Sequence, residues 1–136
     1  MDDLDFLHAN LPEFEGYDDE EARHHTDQRV RAWVGGSLAD VQVRLDAALA
    51  ARSELREQLE ATILRCQFPD QKFVLRLDAT HGIEPALKAS LAACDRKLVE
   101  LAQESCHVDE AGLGQILAEI NQTFDRRSQQ VPAPSA

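Results

Sequence analysis

Aromatic side chains are scarce in this chain: five Phe, one Tyr and one Trp among 136 residues. β-branched residues seldom follow one another either. The apolar content therefore rests on Leu and Ala, a bias that favours helix over sheet. Long hydrophobic runs are missing, and no stretch approaches the roughly 18 apolar residues of a membrane span. The N-terminus lacks the basic segment followed by an apolar one that marks a secretory signal. Cys66, Cys94 and Cys106 are too few, odd in number and irregularly spaced to form a disulfide framework. Reduced thiols in a cytoplasm are the expectation. Clustered Lys and Arg are lacking too, with 14 basic residues against 25 acidic ones and a net charge of −11. Phosphate backbones and anionic lipids are held by clustered cations, so neither nucleic acid nor a membrane is expected as a partner. The stretch "VGGS" has no lysine to make a phosphate loop.

What is present is 43% hydrophobic residues, ordinary for a globular chain and enough for one modest core. The acids are unevenly placed. Residues 1–27 hold ten of them against the single base Arg23, a local charge of −9, which leaves −2 for the remainder. Within that acidic front lie Leu4, Phe6, Leu7, Leu11, Phe14 and Tyr17, spaced by roughly three to four residues. Acids around apolar anchors are typical of segments that order on binding, the anchors filling a groove and the charges speeding encounter. The plainer reading is that the anchors pack on the chain's own bundle or on a second copy. Asp18, with Glu21 three residues on, reads as a helix start, and Thr26-Asp27 as a second.

From Val30 the apolar residues fall on alternating steps of four and three. Val34, Leu38, Val41, Leu45, Ala48, Leu55, Leu59 and Cys66 form one stripe, with Arg52 and Thr62 in its gaps and Leu49 and Ile63 widening it. This predicts one long helix over residues 27–67, about 60 Å at the helical rise. Gly35-Gly36 either kinks it or lets another backbone come close. Pro69 ends it. In residues 72–77, Phe73, Leu75 and Leu77 alternate with Lys72, Val74 and Arg76, which reads as a short strand or strap. Pro85 suits a first helical residue, and Asp109 suits a cap. Helices are thus expected over about 84–105 and 109–127, with Arg126 and Arg127 complementing the dipole of the last one. The Pro-rich end reads as disordered.

Chemistry-bearing groups are sparse. His24, His25, His81, Cys94, Cys106 and His107 make no zinc or di-iron motif. His81, Cys106 and His107 remain the candidate metal ligands, and Cys106-His107 the candidate thiol–base pair. The carboxylate pairs among Glu54, Glu57 and Glu60, and Glu100 with Glu104, sit among bases as solvated helix faces do. Trp33 is a buried junction residue or an interface anchor. Arg31 and Arg52 interrupt the stripe, either with stems along the core or paired to an acid on another helix.

These features predict an all-α protein: an acidic-hydrophobic extended arm over residues 1–26, a helical bundle over 27–127 with the long helix antiparallel to two shorter ones, and a disordered tail over 128–136. The stripe outruns its two partner helices, which predicts a homodimer or a dedicated protein partner. The expected function is a non-catalytic cytoplasmic interaction module, an adaptor, chaperone-like or regulatory subunit. Leu4, Phe6, Leu7, Leu11, Phe14, Tyr17 and Trp33 are its expected contact residues, and no cofactor is expected. A small helical metal-binding protein or enzyme is the alternative.

Overall fold

The computed structural model describes residues 1–78 and 82–131, and its described residues are helical with no strand. Seven helices follow in order: α1 (Asp3–Asn10), α2 (Glu20–Arg44), α3 (Asp46–Leu49), α4 (Ser53–Gln67), α5 (Gln71–Asp78), α6 (Pro85–Ser105) and α7 (Glu110–Gln130). The all-α reading holds. Four helices make the body, with α4, α2, α6 and α7 packed in that order around a closed ring, since α4 also touches α7. Helix α1 lies on α6, and α5 crosses one end over α2 and α7.

The expected long helix over 27–67 is not one rod. It is a hairpin, with α2 and α4 packed against each other through the short turn that holds α3. The reversal falls at Arg52, in a non-helical conformation (φ −130°, ψ 74°), where the stripe lacked an apolar residue. A four-three repeat does not record that its two halves face each other. Val34, Leu38 and Val41 are buried on α2, and Leu55 and Leu59 on α4. The uncovered apolar length that argued for self-association is therefore absent.

Residues 72–77 are helical, not a strand. Phe73 and Leu77 are an i, i+4 pair buried on one face of α5, while Leu75 is 62% exposed. Residues two apart in a strand share a face, and so do residues four apart in a helix, so the middle Leu alone separates the readings. Asp70 supplies the helix start, its side chain accepting from the Phe73 amide at 3.2 Å. The extended arm is also a correction. Helix α1 begins on an Asp2 cap that accepts from Asp5 N at 2.8 Å, and Leu7 and Leu11 are buried in the common core. The cap of α2 is Asp19, one residue later than the sequence suggested, while Asp109 caps α7 and Pro85 opens α6 as expected. Helix α7 runs on to Gln130 and Val131 is buried, so residues 128–131 are not the disordered tail expected there; residues 132–136 lie outside the described residues.

Gly35 and Gly36 do not kink α2, which is continuous through them. They differ in surroundings. A Cβ on Gly35 would lie 3.0 Å from the Cβ of Cys66 on α4, whereas one on Gly36 would meet nothing within 4 Å. Gly35 is the point at which the two arms of the hairpin close. Gly35→Ala is expected to lower stability by about 1–3 kcal/mol through overpacking, and Gly36→Ala to raise it by up to about 1 kcal/mol through helix propensity. Urea unfolding of the two variants checks the opposite signs.

Candidate functional site

Two charged residues on otherwise apolar helix faces meet at the centre of the bundle. Asp95 falls one helical turn after Leu91 on the buried face of α6, and Arg127 lies three residues after Phe124 on α7. Both are almost fully buried, as is Asp27 of α2. Arg127 reaches both acids, with Nη2 donating to Asp27 Oδ1 at 2.6 Å and Nη1 to Asp95 Oδ1 at 3.1 Å. The remaining oxygens are also filled. Tyr17 OH donates to Asp95 Oδ2 at 2.6 Å, and Arg31 Nε to Asp27 Oδ2 at 3.0 Å. Arg23, itself buried, donates through Nη1 to the Tyr17 carbonyl at 3.0 Å. The Arg127 guanidinium stands 4.4 Å from the Phe73 ring centroid and 5.2 Å from that of Phe124.

Burial sets the protonation of these groups. It raises the Asp95 carboxyl above the ordinary carboxylate range, against the opposing pull of Arg127 and the Tyr17 hydrogen bond. Burial, then the negative charge of Asp95, lift the Tyr17 phenol well above 10.0. Burial opposes the charge on Arg127, but Asp95 and Asp27 outweigh it, and the guanidinium is held charged. A proton held more tightly in the folded than in the unfolded chain stabilises the fold below the unfolded pKa. For Tyr17 that contribution is lost as pH rises through the raised folded value.

The outer side of Arg127 forms part of a half-open groove of about 470 Å³. Ala61, Leu64 and Arg65 line it from α4, Phe68 from the cap that follows, Phe73 from α5, and Phe124 and Ser128 from α7. Leu64 is 56% exposed on α4 and Phe68, its extended C-terminal cap, is 64% exposed, an unusual pair of wet apolar side chains on one groove. Arg65 bridges the groove, donating to Asn121 on α7 and pairing with Asp125 at 2.7 Å.

The residues expected from sequence are dispersed. Leu7, Leu11, Phe14 and Tyr17 are inside the chain's own core, and Leu4, Phe6 and Trp33 pack partly against it. The Trp33 indole N–H is buried with no hydrogen-bond partner. The arm is held further by Arg96, which lies 4.6 Å from the Phe6 ring centroid and pairs with Asp3 at 3.3 Å. Of the two Arg residues in the stripe, Arg31 pairs with Asp27 of its own helix and donates to the Cys66 carbonyl of α4, while Arg52 is exposed at the turn. Cys106 and His107 sit exposed on the turn between α6 and α7, with the Cys106 thiol donating to the Ala102 carbonyl. His81 lies outside the described residues. A different trio has ligand geometry: Glu20 and His24, one turn apart on α2, converge with Asp78 at the end of α5, their ligand atoms within 4.8 Å of one another. All three are at the surface, and His24 already hydrogen-bonds Asp78. Burial also pushes the Cys66 thiol up to about 11 and raises Cys94, which keeps both protonated and unreactive. No protein-family model matches this chain, and neither does any curated protein or solved structure.

Sequence reading missed the Asp27–Arg127–Asp95–Tyr17 network and the groove. The usable signal was a charged residue within an apolar stripe on two helices, with opposite signs. Arg127→Met takes the cation from buried Asp95 and leaves Asp27 with Arg31 alone, and is expected to cost about 3–5 kcal/mol. Adding Asp27→Asn and Asp95→Asn to that variant should restore most of the loss. Guanidinium unfolding of the single and triple variants reads the difference.

Proposed function

We propose that this chain is a non-catalytic protein–protein interaction module whose docking surface is the groove between α4, α5 and α7, rather than the N-terminal arm. The observation that carries this reading is the exposure of Leu64 and Phe68 side by side at the mouth of an apolar groove. Large apolar residues rarely stay wet in pairs beside a cavity unless another surface covers them. The groove is half open to solvent, which suits a partner segment better than an enclosed small molecule. The buried network stiffens its floor through Arg127, so the surface is preorganised and loses little entropy on binding.

The chemistry elsewhere supports binding over catalysis. The carboxylates on α4 are exposed to solvent, and the buried Asp95 has both oxygens hydrogen-bonded, one by Tyr17 and one by Arg127. The three thiols are unpaired, in keeping with a reducing compartment such as the cytoplasm. No helix of the described residues is long and apolar enough to cross a membrane. An adaptor or regulatory subunit fits this set of properties.

A displayed library of helical peptides, panned against the full chain, tests the reading. Enriched peptides should bind Leu64→Ser/Phe68→Ser at least about tenfold more weakly, the loss expected of truncated anchor residues. The double variant should keep the parent melting temperature, since both side chains are largely in solvent. Peptides that bind parent and variant equally would place the docking surface elsewhere.

A further inference from the structure

The groove carries information about the charge of its occupant. Three guanidiniums line it: Arg31, Arg65 and Arg127. In a chain with only 14 basic residues against 25 acidic ones, that concentration is unexpected. Each guanidinium also has a nitrogen left over. Arg31 spends Nε on Asp27 and Nη1 on the Cys66 carbonyl, leaving Nη2. Arg65 spends Nη1 on Asn121 and Nη2 on Asp125, leaving Nε. Arg127 spends both terminal nitrogens on Asp95 and Asp27, and its Nε is buried out of an occupant's reach, so the donors open to the groove are those of Arg31 and Arg65.

The acids nearby are already engaged. Asp27 and Asp95 belong to the internal network, Asp70 caps the Phe73 amide, and Asp125 holds one side of Arg65. Arg76 adds a fourth cation beside the groove, its Nη1 donating to the carbonyl of Ser128, a lining residue. An apolar trough with spare guanidinium donors on its wall matches an occupant that brings both apolar anchors and carboxylates. The shape narrows it further. Ala61, Leu64 and Arg65 are spaced i, i+3, i+4 on α4 and Phe68 follows as its C-terminal cap, so this wall of the trough runs about two helical turns, or roughly 10 Å. Helix-in-groove recognition uses anchors at the same spacing on the partner.

We infer that the groove takes an acidic amphipathic helix of a protein partner, with apolar anchors over Leu64 and Phe68 and carboxylates on Arg65 and Arg31. This rests on the reading of the groove as the docking surface and adds the sign of the partner's charge.

Two fluorescein-labelled synthetic helical peptides test the inference against the full chain. They share Leu and Phe anchors at i, i+4 and i+7, and carry Glu in one and Lys in the other at the flanking positions. Fluorescence anisotropy should show the Glu peptide bound at least about tenfold tighter in low salt, with the gap closing in high salt. Arg65→Gln should bring the two peptides within about threefold, and Phe68→Ser should weaken both. Equal binding of the two peptides, or preference for Lys, overturns the charge inference while leaving the groove as docking surface. No binding by either peptide, or binding untouched by Phe68→Ser, overturns both readings. Light scattering that finds a dimer dissolved by Phe68→Ser would make a second copy the occupant and overturn the acidic partner.

Discussion

A single guanidinium, that of Arg127, holds this fold to one arrangement. It sits between carboxylates from two other helices, Asp27 on α2 and Asp95 on α6, and Asp95 carries the network on to Tyr17 ahead of α2. An apolar core of Leu and Ala tolerates helices sliding past one another, because hydrophobic burial has little directionality. Buried charges do not. Moving α7 by one turn would take its cation from Asp95 and leave Asp27 with Arg31 alone in a low-dielectric interior, at a cost of several kcal/mol. The network therefore fixes the register of α2, α6 and α7, and the apolar residues fill the space around it.

The rest of the architecture follows from that register. With α2 and α7 placed, α5 can cap the end of the bundle by laying Phe73 against the Arg127 guanidinium. Phe73 and Phe124 then form the floor of the groove, and the exposed end of α4 forms its wall. The N-terminal segment is drawn in by the same chemistry, since Tyr17 is both a buried ring and the donor that completes Asp95. The acidic front of the chain thus has a structural use. Its apolar anchors line the bundle, while Asp2 and Asp19 cap helices and Asp18 pairs with Lys88 at the surface.

Helical class, the caps at Asp109 and Pro85, and the apolar faces of α6 and α7 were legible in the sequence because each depends on neighbours within one turn. Three features were not. Periodicity carried the α2–α4 stripe straight through the turn at Arg52, because a repeat has no sign that its halves face each other. In α5, Phe73, Leu75 and Leu77 fit two periods at once, and only the exposure of Leu75 separates them. The ionic centre joins residues up to 100 positions apart, so nothing local announces it. Arg127 looked like a favourable charge at a helix end, and Asp27 like a cap. The groove was invisible for the same reason, being a property of the angle between α4, α5 and α7 rather than of any one of them.

The account stands on the ionic centre being closed and dry, and the chain has only one tyrosine to report on it. Alkaline titration of Tyr17 by ultraviolet absorbance, with helicity followed by circular dichroism on the same samples, is the most direct measurement. A closed centre keeps the phenol neutral well above 10.0, so that it ionises only as helicity is lost, and Asp95→Asn lowers that point by removing the adjacent negative charge. A phenol that ionises at the value of a free tyrosine, about 10, while the helices remain intact would show that Tyr17 is open to water and that the centre does not hold the fold together.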